Sequence, residues 1–235
     1  MQRQGEVMKD PNLESPVNPL PPMVILLFLA LAGVEAVLSL GEAGLVGGPG
    51  AVGWRLGLVR DYGFSGQIFD WMVANGQWPL SEVLRVVSYP FIHLSFTHGL
   101  FAMVLLVALG KMVAEVLGAL VFLAIFAFSS VSAAVLYALL LDDPAWLVGA
   151  YPGVYGLIGG YSYIMWRSLT GTGAQQYRAF TLIGLLMAIQ LFWGMLFEVG
   201  TQWVAELLGF LCGLALCFIC APGEWARIMA FLRRR

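Results

Sequence analysis

The chain has 235 residues, 60 % of them hydrophobic and 11 % charged, with a mean hydropathy of +0.84 and a formal net charge of −2. A soluble domain is usually about 45–50 % apolar and roughly 25 % charged, so this is the composition of a membrane protein. No basic patch interleaved with aromatics occurs in a polar segment, which sets a nucleic-acid partner aside.

Apolar runs of roughly 20 residues between short polar breaks predict an all-α polytopic membrane protein, since barrel strands would alternate over about 10 residues. Residues 1–22 form a polar segment with Arg3, Glu6, Lys9, Asp10 and Glu14. Its mixed charge and lack of a clean small-residue cleavage site do not read as a signal peptide, so the first span is expected to be retained. That span covers 23–40, opened by Pro21 and Pro22, whose fixed φ suits a first helical turn. Glu35 lies inside it and must face protein or water; an internal hydrogen-bonding role is expected over a functional acid.

Residues 42–90 form a long connection with a turn cluster at Gly47-Gly48-Pro49-Gly50, followed by Trp54, Tyr62, Phe64, Phe69, Trp71 and Trp78. Such an aromatic-rich stretch suits the membrane interface, with Ser81 expected to cap a short helix through Arg85. Five further spans are expected at 91–109, 114–141, 146–166, 180–197 and 203–221, joined by short connections such as 110–113. No break divides the membrane domain 23–221. The basic tail 222–235 sets Trp225, Ile228 and Phe231 beside its arginines and suits a membrane surface.

Six spans put both ends on one side. Arg3, Lys9, Lys111, Arg167, Arg178, Arg227, Arg233, Arg234 and Arg235 then share that side against Arg55, Arg60 and Arg85, nine to three. The positive-inside rule makes both termini cytoplasmic, and a bacterial inner membrane suits the short loops. Cys212, Cys217 and Cys220 all fall in the last apolar run. An odd count without secretory spacing argues against disulfides, and Cys217 and Cys220 have no His or acidic companion, so packing is expected and neither metal nor cofactor.

One span is unusual. Residues 149–160 hold five glycines, and Gly149, Gly153, Gly156 and Gly160 recur at helical spacing. They predict one bare ridge for close helix approach, matched by Gly209 and Gly213 in the last span. The two ridges are expected to face each other, which brings together the polar residues at their starts, Tyr151 and Glu206.

The run Phe91-Ile92-His93-Leu94-Ser95-Phe96-Thr97-His98-Gly99-Leu100, followed by Leu109-Gly110 and Gly118, resembles the second transmembrane helix of the rhomboid family of intramembrane serine proteases. The span from Gly149 to Gly160 resembles the segment that carries the rhomboid nucleophile, and Gly209 to Gly213 resembles the glycine-rich sixth helix. The resemblance implies a six-transmembrane-helix bundle with a long interfacial loop after the first helix. It also implies a catalytic set that this chain departs from. The nucleophilic serine's place holds Tyr151, followed by Pro152; the general-base histidine's place holds Glu206; of the oxyanion-stabilising pair, His98 remains but the asparagine's place holds Ala102.

Acyl transfer needs a nucleophile, a base within reach and donors for the oxyanion. Ala102 donates nothing, and losing one such donor typically costs about 10² to 10³ in rate. Ser95, between the two histidines, lacks an evident orienting acid, and Ser162 lies about 16 Å deeper than Tyr151 at about 1.5 Å per residue. No catalytic residue is therefore expected. Tyr151, Glu206 and His98 are expected to form a polar plug in which Tyr151 donates to Glu206.

The chain then reads as a rhomboid-like pseudoprotease that binds, stabilises or assembles another transmembrane protein or membrane complex, among membrane lipids. The alternative is an active intramembrane serine-type endopeptidase with unconventional residues. A transporter ranks last, for want of inverted repeats. In the family, substrates approach between the second and fifth helices; here the fifth carries Phe192, Trp193, Met195 and Phe197 near one end.

Overall fold

The computed structural model describes residues 19–170, 175–196 and 200–220, without the side chains of 193–196. The tail 222–235, the first eighteen residues, Phe197 and the side chains of Trp193 and Met195 lie outside that description. Nine α-helices and one short two-stranded sheet are described: α1 (Pro22–Glu42), α2 (Trp54–Tyr62), β1 (Phe64–Ser65), α3 (Gly66–Asn75), α4 (Leu80–Ser88), α5 (Phe96–Leu117), α6 (Ala119–Leu140), β2 (Trp146–Leu147), α7 (Tyr151–Leu169), α8 (Thr181–Leu196) and α9 (Gln202–Cys220).

Helix α7 is the axis of the bundle. It packs most extensively on α9, then on α6 and α5, while α1 leans on α5. Val154, Tyr155, Leu157, Ile158 and Tyr163 are all buried around it. Among the described residues, four helices, α1, α5, α6 and α9, are long and apolar enough to cross a membrane. The sequence of α7 is less apolar because it meets other helices, and its glycines and tyrosines serve packing that lipid does not require.

Two expected boundaries move. The break expected at 110–113 is helical, because Gly110 sits inside α5 where a methyl would come within 2.8 Å of the Phe122 ring. The chain turns instead at Gly118, with φ +97°, a conformation L side chains rarely adopt. At the other end α5 begins at Phe96, where the Ser95 hydroxyl accepts the His98 backbone N–H.

The connection 42–90 is largely helical rather than an irregular loop, folding into α2, α3 and α4. Ser65 caps α3, accepting from the Ile68 N–H, and Gly76 ends that helix in the left-handed region. Ser81 does not cap α4: Pro79 holds that place and the Ser81 hydroxyl turns to Glu82. Helix α4 exposes Leu80, Val83, Leu84 and Val87 and keeps Glu82 and Arg85 paired with one another, the pattern of an interfacial helix. Phe64 pairs with Leu147 and Ser65 with Trp146, antiparallel, so β1 and β2 pin this connection to the segment that leads into α7.

A polar knot closes the same end. Asp143 accepts from the Tyr137 hydroxyl at 2.7 Å, from the Ala145 N–H at 2.8 Å and from Thr201 just before α9. Thr201 first, then Ala145 and Tyr137, hold the Asp143 carboxyl below its ordinary value. A carboxyl depressed in the folded state stabilises above its ordinary value, and that contribution is lost as pH falls through the folded value. Unfolding followed from pH 6 to about pH 3 should show a shallower acid-side dependence for Asp143→Asn than for the parent.

Candidate functional site

Three short pieces converge where α7 begins. Gly149, at φ +99°, donates its N–H to the Tyr89 carbonyl at 3.0 Å, and a methyl there would stand 2.9 Å from the His98 ring. Glycine is required twice, by conformation and by space. The next N–H, of Ala150, reaches His93 Nε2 at 3.3 Å. An imidazole that accepts at Nε2 is neutral, with its proton on Nδ1, and that atom is buried without a partner among the described residues.

Tyr151 follows. Its ring stacks on His98 with centroids 4.8 Å apart and planes 18° from parallel, and its hydroxyl donates to the His98 carbonyl at 3.2 Å. His98 Nδ1 in turn receives the Leu94 N–H at 3.4 Å, and the His93 ring meets the His98 ring edge-on. Tyr151 and His98 are thus brought together. The bond expected from Tyr151 to Glu206 is not among the hydrogen bonds formed, because the phenol is committed to the His98 backbone.

Glu206, on the first turns of α9, is within electrostatic reach of Tyr151 but bonds elsewhere. It accepts from the Gln190 amide of α8 and from the Tyr155 hydroxyl of α7. Tyr155 lies one helical turn past Tyr151, so the helix presents two phenols on one side, and the deeper one takes the carboxyl. Ala102, one turn after His98 on α5, is fully buried in the apolar core and offers no donor. Ser95 is spent on capping α5, and Ser130 donates to the Phe126 carbonyl.

The glycines divide their work more finely than one ridge facing another. Gly209 lies against the Pro152 carbonyl and Gly213 against that of Gly156, so the α9 ridge does meet α7 backbone to backbone. On α7, Gly159 faces α9, where a methyl would stand 2.5 Å from the Phe210 carbonyl oxygen; a methyl at Gly156 would first meet Ser129 of α6, with the Gly209 carbonyl oxygen of α9 at 3.4 Å. Gly153 faces Ser130 and Phe126 of α6, Gly160 faces Ile125 and Val113, and Gly149 faces the histidines. Five glycines among twelve residues thus serve several neighbours, because an axial helix is surrounded.

A second polar cluster stands behind the histidines. Arg55, on α2, reaches Glu35 of α1 through both terminal nitrogens, at 3.0 and 2.8 Å, and the His93 carbonyl at 2.8 Å. It also bonds Glu42 through Nε at 2.6 Å, and Ser39 donates to Glu35 at 2.9 Å. Hydrogen bonds to Glu35, then to Glu42, hold the guanidinium's pKa above its ordinary value. Glu35 therefore has the internal bonding role expected of it, and its partner comes from the connection.

The Rhomboid domain family model matches residues 80–223, more than half of the chain, from α4 through α9. The chain belongs to the rhomboid family. No curated protein is similar enough to count as a match. With its rhomboid domain and long apolar helices, this rhomboid-family protein is an integral membrane protein. The matched segment contains His98, Tyr151 and Glu206, while Glu35 and Arg55 precede it.

The sequence reading passed over Tyr155, Gln190 and Gly159. Gln190 had a signal, being the one polar residue between Leu182 and Leu191 in an apolar helix. Tyr155 stands just before Gly156 in the glycine-rich span, and nothing in its spacing marks it as a partner of Glu206.

Proposed function

We propose that this rhomboid-family protein is a non-catalytic member that binds, stabilises or assembles other transmembrane proteins. The observation that carries the reading is the commitment of Tyr151: a phenol locked by stacking and a hydrogen bond to His98 occupies the place where the resemblance puts a nucleophile. A nucleophile must be free to attack and must have a base beside it. Here the residue in the base's place is tied to Gln190 and Tyr155, and Ala102 adds no donor. What an intramembrane scaffold keeps without chemistry is a surface for other helices.

In this reading α7 and α8 join the four long apolar helices as membrane spans, giving six. Both termini are then cytoplasmic, in a bacterial inner membrane, as the nine-to-three distribution of basic residues supports. Purification in several mild detergents tests the role: a stoichiometric membrane partner is expected, and its absence throughout would count against the reading. A repair series tests the inactivity. Tyr151→Ser with Glu206→His should stay silent toward a transmembrane peptide substrate, and only addition of Ala102→Asn should bring measurable cleavage, because one oxyanion donor is worth about 10² to 10³ in rate.

A further inference from the structure

The helix held least firmly by the described bundle is α8. Its stronger contacts are with the turn that precedes it, Gln176–Phe180, and with α7. Leu185, Ile189, Leu191 and Phe192 are each between 44 and 59 % exposed. Gln190 ties α8 to α9 by donating to Glu206. Yet the amide is only half used: Gln190 Oε1 is buried and has no hydrogen-bond partner among the described residues.

Counting donors against acceptors at this seam gives an imbalance. A carboxylate offers about four lone-pair positions and the amide oxygen two more. Against them stand the Tyr155 hydroxyl and the Gln190 NH₂. No Lys, Arg or His occurs anywhere between Thr181 and Cys220, and on α7 the only cation is Arg167, near its far end. An acceptor left unmet in an apolar setting costs about 1–3 kcal/mol, more where charge is involved. Lipid tails supply no donor.

We infer that the seam between α8 and α9 receives a single transmembrane helix of a partner protein through a basic side chain on that helix, with Glu206 and the free Gln190 oxygen as its acceptors. The inference rests on the reading of the protein as a binder of transmembrane segments and specifies the recognised chemistry. Charge complementarity selects the occupant: the seam holds a carboxyl and a spare carbonyl but no cation. The exposed apolar face of α8 supplies the flanking contact for the rest of the incoming helix. Glu206 is the fifth residue of α9, so the basic group should lie about 6 Å from the matching end of the partner helix, at about 1.5 Å per residue.

The test uses the full chain in phosphatidylcholine nanodiscs, with a photo-crosslinking residue at the lipid-exposed position Ile189. Two synthetic leucine-rich transmembrane peptides serve as probes, identical except for one Lys placed about one turn from one end. The Lys peptide should crosslink about tenfold more than the all-Leu peptide, the ratio expected of a modest charge-pair coupling. Glu206→Leu should bring the two peptides level. Glu206→Gln, which keeps a hydrogen-bonding side chain and so guards against misfolding, should remove most of the Lys preference.

Equal yields for the two peptides on the parent protein would overturn the inference, as would a Lys preference that survives both substitutions. Co-purification separates this from the wider role. A native partner that stays bound to both Glu206 variants would leave the binding role standing and refute this site.

Discussion

Arg55→Leu should lower the free energy of unfolding by about 3 kcal/mol or more, the range found when one member of a buried ion pair is removed. The loss arises from Glu35, which is 2 % exposed and would keep its carboxyl in the bundle with only Ser39 to bond. The His93 carbonyl would also lose its donor. Glu42 matters less, because its side chain is 40 % exposed and water takes over. Removing both partners, Arg55→Leu with Glu35→Leu, should recover much of the loss, since two apolar side chains leave no buried charge. Reversible unfolding in mixed micelles reads both variants, and equal destabilisation by the single and double changes would mean that packing, not the charge, is what Arg55 supplies.

The second large effect is expected at Gly213. A methyl there would collide with the Gly156 carbonyl, and backbone on one helix cannot yield to backbone on another without parting the helices. Gly213→Val should therefore cost about 3 kcal/mol, the upper end of ordinary overpacking. It should also loosen the Tyr155 bond to Glu206, which spans the same interface. Gly33→Ala is the matched control. It lies within α1 with nothing inside 4 Å of the added methyl, so it should be neutral or gain roughly 0.5–1 kcal/mol from helix propensity. If both substitutions behaved alike in thermal unfolding, the close approach of α7 and α9 would not be what holds them.

Apolar run length placed the long helices well because it reflects burial in lipid, which depends on each residue singly. Boundaries were harder. Gly110 and Gly118 look the same in the sequence, and only the Phe122 ring packed against the first distinguishes a helix interior from a chain turn. The connection 42–90 hid α2 and α3, though not the short helix at α4, because its aromatic residues and glycines mask a short amphipathic period.

At the site, the facing of Gly209 and Gly213 toward α7 was legible from spacing, whereas only the family resemblance set Tyr151 and His98 in one place. The choice of Tyr155 over Tyr151 as the partner of Glu206 was not legible. It depends on where the Tyr151 hydroxyl finds its nearer acceptor, the His98 carbonyl, and backbone carbonyls leave no mark on a sequence. The pairing of Glu35 with Arg55 was hidden for a similar reason: twenty residues separate them, and the turn at Pro49–Gly53 that brings them together has no charge signature.

The central claim is that the carboxyl and phenol at the head of α7 and α9 replace chemistry with packing. It is tested most directly by reconstituting the purified protein in liposomes with a labelled transmembrane substrate, alongside a fluorophosphonate probe of activated hydroxyls. The account predicts no cleavage and no labelling above a protein-free control. Cleavage or labelling that disappears when Tyr151, Ser95 or Glu206 alone is replaced would contradict it.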